Sequence, residues 1–310
     1  MKISTWNVNS IKARIEHLSL WLDTEKPDIV LLQELKCINE AFPRDQIEDL
    51  GYNIAIHGQK TYNGVAILSK MPLSDIITDF PNNPIPDEAR YIEAFVNLPN
   101  GAIRVASVYV PNGQDLFSEK YQIKLKFLDA LADYYQSLTQ AEEMLVIGGD
   151  LNIAIAEEDV YNPALLSESI CFSGAERRML RKFISTGLID AYRMINHTIS
   201  HVIPDENKLF DRGSCENKLL KPSASAAEGS LPRMTSNSVV NYKKWHHIDE
   251  GYTWWDYRAG AFNKNNGMRI DYLFCSPEVA HISKDCYTLK SLRAAEKPSD
   301  HIPVTMLLDI

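Results

Sequence analysis

Short apolar runs, rich in Val and Ile and broken by turn residues, recur along the chain. They predict strands over residues 2–8, 28–33, 52–57, 64–68, 91–97, 103–110, 144–148, 268–275, 283–289 and 304–310. Pro72, Asn100-Gly101 and Pro111-Asn112-Gly113 punctuate them. Helical spacing is rarer and predicts helices over residues 15–24, 118–138 and 175–186. Ile15, Leu18 and Leu22 share one face of the first, while Ile123, Phe127, Leu128 and Leu131 mark the apolar side of the second. Many strands with few helices between them fit an α/β chain of two packed sheets under helices, rather than a purely parallel, doubly wound sheet.

One stretch breaks the rhythm. Between residues 197 and 252 both periodicities fade, and Ser223-Ala224-Ser225-Ala226-Ala227-Glu228-Gly229-Ser230 approaches low complexity. A loop this long is either functional or poorly ordered. The expectation is a mobile insertion in a single domain spanning residues 1–310. Its basic, aromatic end, Lys243-Lys244-Trp245-His246-His247, has the composition of a nucleic-acid contact.

Polar residues at the ends of apolar strands turn the reading from fold to chemistry. Residues 3–6 lead to Asn7 and Asn9, and residues 29–32 lead to Gln33, Glu34 and Lys36. Residues 105–108 lead to Tyr109, Asn112 and Gln114, and residues 145–147 to Gly148-Gly149-Asp150-Leu151-Asn152. Singly these are ordinary turn formers. Together they are groups that strands of one core deliver to one edge, and Asn, Glu and Asp make a hard-oxygen site suited to Mg2+ or Mn2+ rather than zinc. Alternation along Arg269-Ile270-Asp271-Tyr272-Leu273-Phe274 sets Asp271 on the face of Leu273 and Cys275. A carboxylate there needs a partner. His301, in Pro298-Ser299-Asp300-His301-Ile302-Pro303, is the natural one, because an Asp–His pair fixes the ring and favours its protonated form.

Composition narrows the classes. At 45% hydrophobic and 24% charged residues the chain is ordinary for a globular protein, and no apolar run approaches the roughly 20 residues of a membrane span. Met1-Lys2 passes directly into Ile3-Ser4-Thr5-Trp6, leaving no room for a signal peptide's apolar segment, so a cytoplasmic protein is expected. Cys37, Cys171, Cys215, Cys275 and Cys286 are odd in number and lack a Cys-x-x-Cys pair, against a disulfide framework or a zinc site. The net charge of −9 is the wrong sign for a general nucleic-acid coat. A local basic surface nevertheless suffices for DNA, and a bound metal would neutralise part of the acidic excess.

Seven motifs recur in a familiar order: Trp6-Asn7-Val8-Asn9, Leu32-Gln33-Glu34-Leu35-Lys36, Tyr109-Val110-Pro111-Asn112-Gly113, Gly149-Asp150-Leu151-Asn152, Trp254-Trp255-Asp256-Tyr257-Arg258, Arg269-Ile270-Asp271 and Ser299-Asp300-His301-Ile302-Pro303-Val304. They resemble the exonuclease III branch of the endonuclease/exonuclease/phosphatase superfamily and cover the chain apart from the insertion. His57-Gly58-Gln59-Lys60 followed by Tyr62-Asn63-Gly64-Val65-Ala66 is similar to that branch in particular. The resemblance implies a four-layer α/β sandwich, DNase I-like, with two mixed β-sheets packed face to face and helices outside. It also implies a Mg2+-dependent DNA repair nuclease, with Mn2+ as a possible substitute. Such an enzyme incises duplex DNA 5′ to abasic sites, cleans blocked 3′ ends and digests duplexes 3′→5′, here as a monomer with no membrane partner.

The same resemblance assigns roles. Glu34 matches the principal metal ligand, with Asn7 beside it, Asp300 as a further metal-site residue, and Asp150, Asn152 and His301 at the same ion. Asp150 matches the group that aligns or deprotonates the attacking water, and Asn152 its partner that stabilises the transition state. Tyr109 matches the phenol facing the scissile phosphate. Asp271 and His301 match the pair at the phosphoryl oxygens, where His301 is an acid, a base or a fixed cation. Trp254 and Arg258 match the border of the sugar pocket, and Lys36, Arg90, Asn112, Lys120 and Lys124 are candidate DNA contacts. The pattern departs at Asn112, where exonuclease III has a glutamine, and at the insertion before Trp254.

Rival branches share the Asp/Asn/His core. These are DNase I-like nucleases, inositol polyphosphate phosphatases and sphingomyelinases; Tyr109 in place of a second catalytic histidine argues against the first and last, and residues 254–258 argue for the abasic-site branch. A non-catalytic relative is disfavoured, because Glu34, Asp150, Asn152, Asp271 and His301 are all present.

Overall fold

Strands with both faces apolar must be covered twice. Ile29, Val30, Leu31 and Leu32 are all fully buried, as are Leu145 and Val146. The computed structural model, which describes residues 1–99, 101–202 and 251–310, shows how. One sheet has the order β11 (Ser283–Thr288), β12 (Val304–Leu308), β1 (Lys2–Asn7), β2 (Ile29–Gln33), β4 (Val65–Ser69) and β3 (Asn53–His57). The other runs β5 (Leu73–Ile77), β6 (Tyr91–Leu98), β7 (Gly101–Tyr109), β8 (Leu145–Asp150), β10 (Asp271–Cys275) and β9 (Ile189–Asp190). The β1–β2 and β7–β8 pairs are parallel and the remaining neighbours antiparallel, so both sheets are mixed.

Alternation then sorts the side chains. Ile3, Ile29, Leu31 and Val65 of the first sheet meet Ala94, Val105, Val146 and Leu273 of the second in one apolar layer. The opposite faces, Trp6, Val30 and Leu32, pack under α1 (Ile11–Glu25) through Leu18, Trp21 and Leu22. Val108, Ile147, Tyr272 and Phe274 pack under α3 (Glu119–Gln140) and α5 (Gly174–Ile184). Helix, sheet, sheet, helix is the four-layer α/β sandwich expected from the sequence. The two sheets crowd Gly148. A Cβ there would lie 2.6 Å from Leu31 Cδ1, 2.8 Å from Leu273 Cδ2 and 2.9 Å from Thr5 Cβ.

Several elements differ from the sequence reading. Helix α1 starts at Ile11 rather than residue 15, because the N–H groups of Ser10 and Ile11 bond the carbonyls of Glu34 and Leu35 at 2.8 and 3.1 Å. Tertiary contacts replace the missing side-chain cap. Strand β5 carries an irregular register and three exposed residues, and β9 has two residues, so neither shows a clear period. The short helices α2 (Arg44–Glu48), α4 (Pro163–Leu166) and α7 (Pro277–His281) lack the length for one. Helix α6 (Ala191–Val202) continues past residue 197, and Tyr252 is buried beside Trp255. Residues 203–250, with Cys215, Ser223–Ser230 and the basic-aromatic Lys243–His247 of the expected insertion, lie outside the described residues.

Candidate active site

The layer between the sheets is apolar until its strands end, and there it turns polar. Asn7 closes β1, Gln33 closes β2, Tyr109 closes β7 and Asp150 closes β8, while Asp271 opens the antiparallel β10. Register brings them together: Asn7 pairs with Gln33, Tyr109 with Asp150, and Asp150 with Asp271. Gln33 bridges the sheets just beneath, donating to Ser107 Oγ at 2.9 Å and Thr5 Oγ1 at 3.0 Å. The segment before β12 completes the cluster. Ser299 Oγ donates to the Asn7 carbonyl at 2.8 Å, and Trp6 Nε1 donates to the His301 carbonyl at 3.1 Å.

The side chains form one hydrogen-bonded array. Asn7 Nδ2 donates to Glu34 Oε1 and to Asp150 Oδ2, both at 2.9 Å, and its Oδ1 accepts from the Asn9 N–H at 3.0 Å. Lys36 Nζ lies 2.8 Å from Glu34 Oε2. Asn152, in the left-handed region at φ 52, turns its N–H onto Asp150 Oδ1 at 2.8 Å and its Nδ2 onto the Val110 carbonyl at 3.0 Å. Asp271 Oδ2 and His301 Nδ1 are 2.8 Å apart, and His301 Nε2 lies 3.7 Å from Asp150 Oδ2. Asp271 Oδ1 is buried without a hydrogen-bond partner.

Electrostatics follow from this crowding. Burial opposes charge on Glu34, but Lys36, Asn7 and His301 outweigh it and hold its pKa below the ordinary carboxylate value. Burial, reinforced by Asp271 and Glu34, pushes Asp150 up to about 7 despite the nearby His301. Burial also disfavours the imidazolium, yet Asp271 and Asp150 overcome it and raise His301 to about 10. Tyr109 is pushed well above its usual value by burial and by Glu34 and Asp150, so it stays a donor. Ligand atoms of Glu34, Asp150 and His301 lie within 4.8 Å of one another. Converging buried carboxylates with hard oxygen donors fit a divalent cation.

The Endonuclease/Exonuclease/phosphatase family matches residues 4–301, nearly the whole chain. The chain belongs to this family. Exodeoxyribonuclease III of Haemophilus influenzae is 28% identical over 98% of each chain, and an exodeoxyribonuclease of Bacillus subtilis 29% over 100% of each. Two solved structures, a 3′-5′ exonuclease from Neisseria meningitidis and an AP endonuclease from Archaeoglobus fulgidus, each match with a TM-score of 0.79 and 32% identity over 100% of both chains. Within the family the chain is a hydrolase of the exonuclease III/AP endonuclease type.

Of the residues that the family resemblance singled out, Asn7, Glu34, Lys36, Tyr109, Asp150, Asn152, Asp271 and His301 meet in the array above. Asn112 joins its edge, donating from Nδ2 to Asn152 Oδ1 at 3.0 Å. Arg90 backs Tyr109, with its guanidinium 4.7 Å from the ring centroid and its Nη1 3.3 Å from the Tyr109 carbonyl. Asp300 stands outside the Glu34–Asp150–His301 trio; it accepts from Asn9 Nδ2 at 2.8 Å and from Trp254 Nε1 at 3.1 Å. Trp254 thus borders the site on that side, partly exposed. Arg258 does not join it: the side chain is exposed at the surface, where Asp256 Oδ2 holds Nη2 at 2.7 Å. Lys120 is exposed on α3.

Lys124 corrects the sequence reading. As a candidate DNA contact it should be exposed, but it is fully buried. Two residues that brace the array, Thr253 and Arg14, gave little sign in the sequence. Thr253 Oγ1 accepts the N–H groups of Ile270 and Asp271, both at 3.1 Å, and so fixes the start of β10. Arg14 bonds the Asn9 carbonyl at 2.9 Å and, with Tyr257, the Pro298 carbonyl, fastening α1 to the His301 segment. Each acts through backbone carbonyls or amides far away in sequence, which periodicity cannot reveal.

Proposed function

We propose that this hydrolase is a Mg2+-dependent DNA repair nuclease that cuts the phosphodiester 5′ to abasic sites, cleans blocked 3′ ends and degrades duplex DNA 3′→5′. The carrying observation is the convergence of Glu34, Asp150 and His301 with Tyr109, Asn152 and Asp271 at one end of the two sheets. The names of its relatives, exodeoxyribonuclease III and AP endonuclease, support the same reading. No helix among the described residues is long and apolar enough to cross a membrane. A monomer acting in the cytoplasm belongs to the same proposal.

Glu34 and Asp150 would hold the cation, Mg2+ or in its place Mn2+. When bound, such an ion stabilises charge on phosphoryl oxygens and lowers the pKa of a bound water. The protein's own groups do the rest. Asp150, beside Asn7 and Asn152, is placed to orient a water and take its proton. His301, protonated up to about 10, offers Nε2–H to a phosphoryl oxygen while Asp271 holds the other nitrogen. Tyr109 O–H and Asn152 add donors, each worth on the order of 3 kcal/mol of barrier. Trp254 gives the rim a flat wall against which a sugar without a base can rest, a space that a full nucleotide would overfill.

The test is incision of a labelled duplex carrying one abasic-site analogue, with Mg2+ and with EDTA, beside an undamaged duplex. A metal-dependent nick immediately 5′ to the lesion is expected. No cutting of either duplex would refute the reading.

A further inference from the structure

Lys124 is a cation without access to water, and all three of its protons are committed. Its Nζ donates to the Asn152 carbonyl at 2.8 Å, to the Asn112 carbonyl at 3.0 Å and to Glu176 Oε1. Glu176, also fully buried, accepts in addition from the Cys171 N–H at 3.1 Å, the Ser173 N–H at 2.9 Å and Ser173 Oγ at 2.7 Å. One ion pair therefore joins α3, α5 and the loops that follow β7 and β8. Those loops carry Asn112 and Asn152.

A buried ion pair is a poor source of stability, since two apolar side chains of similar size hold a core as well. Its geometry here is specific to the site. The Asn152 carbonyl points back to Lys124 while its side chain points forward to Asp150 and Val110, an arrangement that the left-handed backbone at φ 52 makes possible. Asn112 is gripped in the same way, by its carbonyl from behind and by its Nδ2 on Asn152 Oδ1 in front. Cys171 Sγ fills the remaining space, 3.5 Å from Asn112 Nδ2 and 3.9 Å from Asn152 Oδ1.

We propose that Lys124, braced by Glu176, is a positioning residue that sets Asn152 and Asn112 at the reacting phosphate. The inference rests on the repair-nuclease reading above. Neither side chain touches the substrate. Their effect passes through two backbone carbonyls.

Lys124→Met alone strands the Glu176 charge in the interior and is expected to destabilise the protein strongly. The informative variant is Lys124→Met with Glu176→Gln, which removes both charges and keeps side-chain volume. Single-turnover cleavage of a duplex with one abasic site in Mg2+, DNA binding in EDTA, and thermal melting are measured beside wild type. The expected result is a melting temperature near that of wild type, DNA binding within about threefold, and a cleavage rate lower by about 100-fold, the scale of a misplacement of about 1 Å. A merely structural pair predicts a doubly neutral variant that cuts at the wild-type rate, or one whose loss tracks its unfolded fraction; either overturns the inference. A wild-type protein that leaves the duplex intact contradicts the underlying nuclease reading. A cutting wild type beside an equally fast variant contradicts this inference alone.

Discussion

His301 Nδ1 lies 2.8 Å from Asp271 Oδ2, and this contact decides which ring nitrogen faces the site. With Nδ1–H committed to Asp271, Nε2 is the atom turned toward Asp150, 3.7 Å away. Thr253 fixes the Asp271 backbone and Ser299 Oγ accepts the His301 N–H at 3.2 Å, so neither partner is free to turn away. The pair is built as a fixed, charged donor.

Asp271→Asn should therefore lower turnover by about 100-fold or more, the range for losing a preorganised donor at the developing charge. Asp271 is the chief group raising His301 to about 10, so its neutral replacement moves the His301 pKa down. The alkaline limb of the pH–rate profile should shift to lower pH in the variant. An unshifted limb would mean that Asp271 does not govern the protonation of His301.

Burial, with Asp271 and Glu34 nearby, pushes Asp150 up to about 7. Its folded-state pKa is raised, so below about pH 7 it carries a proton that a cation must displace, and above that pH it does not. Mg2+ or Mn2+ affinity measured calorimetrically without DNA should fall up to about tenfold per pH unit below 7 and level off above it. A flat profile from about pH 5.5 to 8 would contradict Asp150 as a ligand.

Glu34 and Asp300 should differ. Glu34 belongs to the close trio with Asp150 and His301, whereas both Asp300 oxygens are taken by Asn9 and Trp254. Glu34→Gln should weaken Mn2+ binding by about 100-fold, at the upper end of what supporting residues of metal sites achieve. Asp300→Asn should weaken it by less than about tenfold. Equal losses, read from manganese titrations, would place Asp300 at the ion.

Much of this was legible in the sequence because strands impose a period. Asp271 could be placed on the Leu273 face by alternation alone, and its partner inferred from the cost of burying a carboxylate. The same logic explains Asn7, Tyr109 and Asp150, each at the end of an apolar strand. Lys124 was misread although a signal existed: it lies in the stripe Tyr121, Lys124, Leu128, Leu131 and Tyr135, all buried on one face of α3. A lysine within an apolar stripe is a buried cation, and its partner, Glu176, closes a capping box with Ser173. Arg14 and Thr253 were not legible, because their partners are backbone groups brought near only by the packed sheets. Nothing in the Asp300 motif shows that its carboxylate accepts from Trp254 and Asn9, which the fold alone brings to it.

The approach of the sheets is itself testable. Gly148→Ala inserts a methyl group against Leu31, Leu273 and Thr5 at 2.6 to 2.9 Å. Overpacking of this kind is expected to remove about 1–3 kcal/mol and lower the melting temperature by several degrees. An unchanged melting curve would show that the two sheets can separate there without penalty.

The most direct measurement compares wild type with Asp150→Asn on a labelled duplex containing one abasic site, following binding in EDTA and single-turnover cleavage in Mg2+. Asp150 is the residue shared by the close trio with Glu34 and His301 and by the Asn7 and Asn152 hydrogen bonds. The account predicts that the variant binds the duplex within a few-fold of wild type and loses at least about 1000-fold in cleavage, the combined loss of a base and a metal ligand. Cleavage retained by Asp150→Asn at near the wild-type rate would contradict it.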